Sequence, residues 1–108
     1  RTIVSKFLST FGYEVFEAKD GLEAVEFIEK NRSNLPNIVV CDVEMPRMDG
    51  FETTKRIKEI DEQLPVILFS TLSQEQLQKG IEVGADSYIS KEEPPERLLR
   101  LIEKLLKK

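Results

Sequence analysis

The stretch VVCDVEMPRMDG, Val39 to Gly50, begins as an apolar run and breaks at Asp42 into a loop carrying Glu44, Pro46 and Asp49. With Ile38 before it, Ile38 to Cys41 lacks polar alternation, the pattern of a strand covered on both faces. Downstream, Phe51 to Ile60 repeats at helical spacing and Val66 to Phe69 is a second buried run. Ser73 with Gln76 three positions on caps a helix that Gly84 closes. Ser87 to Ser90 is a short last strand around Tyr88 and Ile89, and Pro94 to Leu106 a final helix with Leu98, Leu99, Leu101, Ile102, Leu105 and Leu106. Upstream, Ile3, Val4, Phe7, Leu8 and Phe11 recur at helical spacing until Gly12, and Tyr13 to Ala18 alternates as a strand. Asp20 with Glu23 resembles a capping box, opening an amphipathic helix with Leu22, Val25, Phe27 and Ile28 towards Asn31.

Helices alternating with short buried strands through brief loops imply a parallel sheet with right-handed crossovers and helices on both faces. The fold class is α/β, a doubly wound parallel sheet. At 108 residues and 40% apolar the chain is one domain, residues 1–108, which leaves any output function elsewhere. A charged fraction of 33% and a net charge of -4 lack the basic stripe that nucleic acid requires. No run approaches the roughly 18 apolar residues of a membrane span, and no signal peptide is evident. Together with the lone Cys41, these features point to a reducing cytoplasm. The chain has no histidine, which excludes a His-based triad, a His metal site and an internal phosphohistidine.

In such sheets ligands bind beyond the carboxyl ends of the strands, so the informative residues follow each apolar run: Asp42, Ser70 with Thr71, and Lys91. Each alone has an ordinary explanation as a turn, cap or solvated charge. Placed at one edge of three consecutive parallel strands, they converge. An ionised aspartate can attack phosphorus to give an acyl phosphate, and a hydroxyl and an ammonium match the charge on the transferring oxygens. At about 4 Å, Asp42 and Lys91 would attract by roughly 4 kcal/mol at an effective dielectric near 20, before desolvation is subtracted. A hard divalent cation, Mg²⁺, would complete such a site, held by carboxylates and a backbone carbonyl.

Three strings, DVEMPRMDG from Asp42 to Gly50, FST from Phe69 to Thr71, and GADSYISK from Gly84 to Lys91, closely resemble the receiver domains of two-component response regulators. The resemblance covers essentially the whole chain and implies the flavodoxin-like receiver fold. It implies that Asp42 is the phosphoacceptor, Ser70 the switch hydroxyl with Thr71 beside it, and Lys91 the phosphate-binding lysine. Asp42 and the backbone carbonyl of Glu44 would bind the metal, Met45, Pro46 and Gly50 would shape the loop, and the Tyr88 rotamer would follow phosphorylation. It further implies a histidine kinase as phosphodonor, a downstream protein target, and a docking face that includes Lys79, Tyr88, Arg97 and Arg100. The strings look most like receivers of the chemotaxis group.

Two features depart from the family pattern. Glu92 stands where a proline usually follows the lysine, so a trans bond and an altered loop are expected after Lys91. A family member would also begin with a central strand ending in an acidic pair, whereas Arg1 falls within what should be the following helix. A central strand with about five buried aliphatic side chains is worth roughly 7 to 15 kcal/mol, as much as a whole domain's stability. The N-terminally incomplete pattern leaves three arrangements: a strand preceding Arg1, a strand exchanged from another chain, or direct pairing of the strands flanking the gap. A monomer, a strand-exchanged dimer and a phosphorylation-dependent dimer are all compatible with it. Two other functions compete: a pseudo-receiver docking partners without phosphorylation, and a haloacid-dehalogenase-type phosphatase, which also uses a strand-end aspartate, a hydroxyl and a lysine.

Overall fold

A computed structural model describes residues 14–106. The chain alternates β1 (Val15–Ala18), α1 (Gly21–Lys30), β2 (Ile38–Asp42), α2 (Gly50–Ile60), β3 (Val66–Phe69), α3 (Gln74–Val83), β4 (Ser87–Ile89) and α4 (Pro95–Leu106). The starts of α1, α2 and α3 follow from side chains that take up orphan amides. Asp20 accepts from the Leu22 and Glu23 amides, Asp49 from Glu52, and Ser73 from Gln76. Gly84 ends α3 in the left-handed conformation, φ 89°, as a glycine in the capping position does readily.

Among the described residues the strands form a parallel four-stranded sheet in the order β1-β2-β3-β4, with Val15 opposite Ile38, Val39 opposite Val66 and Ile67 opposite Ser87. Strand alternation divides the core. Val39, Cys41, Val66 and Leu68 face Ala24, Ile28 and Ile57, so α1 and α2 cover one side. Ile38, Val40, Ile67 and Ile89 face Leu98 and Ile102 of α4 on the other. Full burial of side chains such as Leu98 and Ile102 stabilises by about 1.5 to 3 kcal/mol each. The sheet is therefore doubly wound, with helices on both faces, as the alternation of elements implies.

Several expectations are refined. Asp42 closes β2 instead of following it, and α4 begins at Pro95, leaving Pro94 in the loop. Phe27, placed by periodicity on the buried face of α1, is 38% exposed and stacks on Phe16 with ring centroids 4.4 Å apart. The buried positions of α1 are Gly21, Ala24 and Ile28, the last of these as the periodicity expects. Among the described residues β1 pairs directly with β2, from Val15↔Ile38 to Ala18↔Cys41. The helix read over Ile3 to Phe11, and the start of β1 at Tyr13, lie outside the described residues.

Candidate functional site

The carboxyl edge of the sheet is built from three loops. The first follows Asp42 and folds back on the strand: Val43 donates its amide to Phe69 O at 3.1 Å and Gly50 donates to Val43 O at 2.7 Å. A Cβ at Gly50 would collide with the Asp42 carbonyl, so only glycine permits this close return. Met45 packs against the α1–α2 side of the core, and Pro46 O accepts from the Met48 amide at 2.7 Å. Arg47 holds φ 67°, a left-handed conformation uncommon outside glycine. Its guanidinium donates to Asp20 Oδ2 at 2.8 Å, tying this loop to the start of α1. That hydrogen bond is the main reason the Asp20 carboxyl titrates below its usual range.

The second loop leaves β3. Ser70 is buried, donates its amide to Ile89 O at 3.0 Å, and accepts the Leu72 amide on Oγ at 2.9 Å. With that lone pair engaged, its hydroxyl proton is free to be donated. Leu72 is left-handed at φ 62°. Thr71 is exposed; its Oγ1 accepts from the Ser73 amide at 3.3 Å and its own amide donates to Gln76 Oε1 at 2.9 Å. Gln76 thus completes only half of the capping box: its amide reaches Ser73 Oγ, while its side chain turns aside to Thr71.

The third loop leaves β4. Ser90 Oγ accepts from the Glu92 amide at 3.2 Å and Ser90 O from the Glu93 amide at 3.1 Å, a turn closed by Ser90 with Glu92 in the position where the family has proline. No cis peptide bond occurs among the described residues, which agrees with the trans geometry expected beyond Lys91. The altered loop still brings Lys91 to the aspartate, with Nζ 3.3 Å from Asp42 Oδ1.

Asp42, Glu44, Ser70, Thr71, Gln76 and Lys91 accordingly line one cleft of about 340 Å³. Lys91 is 64% exposed on its side chain and Asp42 28%, so the pair sits at the mouth. Asp42 Oδ1 is nevertheless a buried atom without a hydrogen-bond partner. The two statements are compatible, since at 3.3 Å the ammonium is close enough to attract the carboxylate without the alignment of a hydrogen bond. A lone pair is left available. Among the described residues no three carboxylate, cysteine or histidine side chains are grouped to hold a metal by themselves.

The other residues singled out in the sequence lie elsewhere. Tyr88 is half-buried and packs against the α1–α2 side of the core; burial, and then the Asp86 charge, push its hydroxyl above the usual range. Lys79 reaches back over the Phe51 ring, 5.8 Å from its centroid, which directs it towards α2. Arg97 and Arg100 are exposed on α4. Gln76 and Ser90 were not singled out as site residues. The only trace of Gln76 in the sequence is its place three residues after Ser73, where it reads simply as a cap.

Residues 1–103 match the family described as response regulator receiver domain. The chain belongs to that family. Receiver domains are regulatory phosphoacceptor domains, which sets aside the phosphatase alternative. The response regulator MprA of Mycobacterium sp. (strain KMS) is 36% identical over 109 residues that take in 100% of this chain and 46% of the relative. The chain thus spans about half the length of such curated relatives. The chemotaxis response regulator CheY4 of Vibrio cholerae superposes with a TM-score of 0.83 at 37% identity, over 98% of this chain and 88% of that one. The receiver domain of the sensor histidine kinase PA1611 of Pseudomonas aeruginosa PAO1 was solved with magnesium in its active site cleft. It superposes with a TM-score of 0.82 at 23% identity, over 99% of this chain and 88% of that one, a likeness of fold.

Proposed function

We propose that Asp42 accepts a phosphoryl group from the phosphohistidine of a partner kinase, and that the acyl phosphate changes how the domain binds a downstream protein. The observation that carries this reading is Asp42 Oδ1, buried without a hydrogen-bond donor, 3.3 Å from Lys91 Nζ, in a cleft that Asp42 lines together with Ser70. A carboxylate oxygen of Asp42 attacks phosphorus, the P–N bond to the imidazole breaks, and the imidazole leaves with that electron pair. Lys91 neutralises charge gathering on the phosphoryl oxygens, and the Ser70 hydroxyl donates its proton to one of them. Thr71 flanks this hydroxyl, and the Gln76 side chain fixes the Thr71 amide.

The oxygen set suits Mg²⁺, which takes one or two carboxylates and keeps several of its waters. Asp42 and the Glu44 backbone carbonyl would hold it, and the magnesium in the PA1611 receiver supports the choice. When bound, the ion lowers the charge that the transfer must overcome. The finer assignment to chemotaxis draws support from the strand exits and from the likeness to CheY4. Tyr88, Arg97 and Arg100 form the partner-facing side in this reading.

The test is incubation with acetyl phosphate, or with beryllofluoride, in the presence of Mg²⁺. A mass gain of one phosphoryl group and shifts in the Ser70, Thr71 and Lys91 amides are expected, both abolished by Asp42→Asn. An unchanged mass and spectrum would refute the reading, and partner binding indifferent to Asp42→Asn would assign the domain to phosphorylation-independent docking.

A further inference from the structure

Helix α3 has a glycine at its interior position 80, where helix propensity argues for alanine. Gly80 is the one fully buried residue of this helix. A Cβ built on it would fall on Tyr88 Cε2 and lie 3.2 Å from both Cδ2 and Cζ. The edge of the Tyr88 ring therefore occupies the space an alanine methyl would fill. The backbone there has little room to yield, because Gly80 O accepts from the Ala85 amide at 3.0 Å within the turn that closes α3. What can move is the ring, which is the far end of a rotatable side chain and only half-buried.

We propose that Gly80 is a positioning residue for Tyr88: its missing side chain forms the notch that holds the ring inward, and filling the notch drives the ring outward with no change at Asp42. The notch is a matter of packing alone. Its signalling meaning rests on the function proposed above, in which the Tyr88 side of the domain meets partners.

The experiment uses the whole chain carrying 3-fluorotyrosine, whose two tyrosines are separated by comparison with Tyr88→Phe. In Gly80→Ala the Tyr88 fluorine resonance is expected to move towards the position of free fluorotyrosine; an unmoved resonance overturns the proposal. Urea midpoints provide the second readout. Gly80→Ala should raise the midpoint in a Tyr88→Ala background, where only helix propensity acts, and should fail to raise it when Tyr88 is present. Equal rises in both backgrounds overturn the proposal. If Gly80→Ala alone does not fold, rescue by Tyr88→Ala supports the notch, and failure of the double variant as well assigns Gly80 to another contact and refutes it. Beryllofluoride with Mg²⁺ separates the two readings: if it leaves the unaltered protein's whole spectrum in place, the Ser70, Thr71 and Lys91 amides included, while Gly80→Ala moves the Tyr88 resonance, the notch stands and the phosphoacceptor reading falls.

Discussion

Replacing Lys91 with alanine should separate the chemistry of the site from its stability. At 3.3 Å the Asp42–Lys91 attraction is about 5 kcal/mol at an effective dielectric near 20, and about 1.3 kcal/mol in water. With the lysine side chain 64% exposed and the aspartate 28%, the geometry lies towards the watery limit, where such pairs contribute about 0 to 1 kcal/mol net. Lys91→Ala should therefore leave the urea midpoint nearly where it was. During transfer the balance differs, because charge develops on phosphoryl oxygens inside the cleft and one pre-positioned donor there is worth about 10²- to 10³-fold in rate. Phosphorylation by acetyl phosphate, followed by intact mass over time, should slow by that factor. A stability loss above about 2 kcal/mol would show that the pair is structural. An unchanged rate would show that the lysine does not meet the phosphoryl group.

Four further outcomes follow from the surrounding structure. Lys58 Nζ donates to Leu64 O at 2.7 Å and to Asp86 Oδ2 at 2.7 Å while only 14% exposed, so Lys58→Met should cost about 2 to 3 kcal/mol in urea unfolding through the acceptors it abandons. Ile102 is fully buried beneath the sheet, and Ile102→Ala should cost about 2 to 5 kcal/mol by the same measurement. Burial pushes the Cys41 thiol up to about 12 from 9.0; a folded value above the unfolded one means stability is intact below pH 9 and declines as pH rises from there towards 12. Near pH ~10.5 the protein should have lost about 2 kcal/mol relative to Cys41→Val, and parallel pH profiles for the two would contradict this assignment. Gln76→Ala frees the Thr71 amide from its acceptor, and hydrogen exchange at Thr71 should accelerate about tenfold with the other site amides little changed.

The elements and three of the cleft's side chains were legible because strand exits are written in short apolar runs. Ile38 to Cys41 and Val66 to Phe69 have no polar alternation, so the residues that end them, Asp42 and Ser70, stand out at once. Lateral order was not legible. A strand buried on both faces has no distinct side to reveal its neighbour, and β1 could be assigned beside β2 only from the register Val15↔Ile38. Phe27 was misplaced for a related reason: helical period identifies a stripe, while the partner across that stripe decides which members are covered, and here Phe16 leaves the ring half in solvent. Gln76 escaped notice because its destination, the Thr71 amide, is set by a loop whose Leu72 takes a left-handed turn that no residue type announces.

The parts of the site differ in how easily they can rearrange, and the difference follows the boundary between sheet and loops. Asp42 closes a strand joined on both sides by parallel ladders and backed by fully buried Ile38 and Val39, so its backbone can shift only with the core. Ser70, Leu72, Thr71 and Ser90 lie in loops tied in part by side-chain to backbone bonds: Ser70 Oγ to the Leu72 amide, Gln76 Oε1 to the Thr71 amide, Ser90 Oγ to the Glu92 amide. Each such bond contributes only about 0.5 to 1.5 kcal/mol net. In the function proposed above, a phosphoryl group on Asp42 would present charge and several strong acceptor oxygens to the free Ser70 proton and the Lys91 ammonium, an attraction large enough to displace bonds of that size in the same loops. The left-handed Leu72 backbone makes the second loop a place where relief of strain would accompany the change. A rigid acceptor surrounded by weakly tied donors confines the response to the loops on the carboxyl edge, and α3, which begins at Gln74 directly beyond the second of them, is the element through which Tyr88 in its Gly80 notch would feel it.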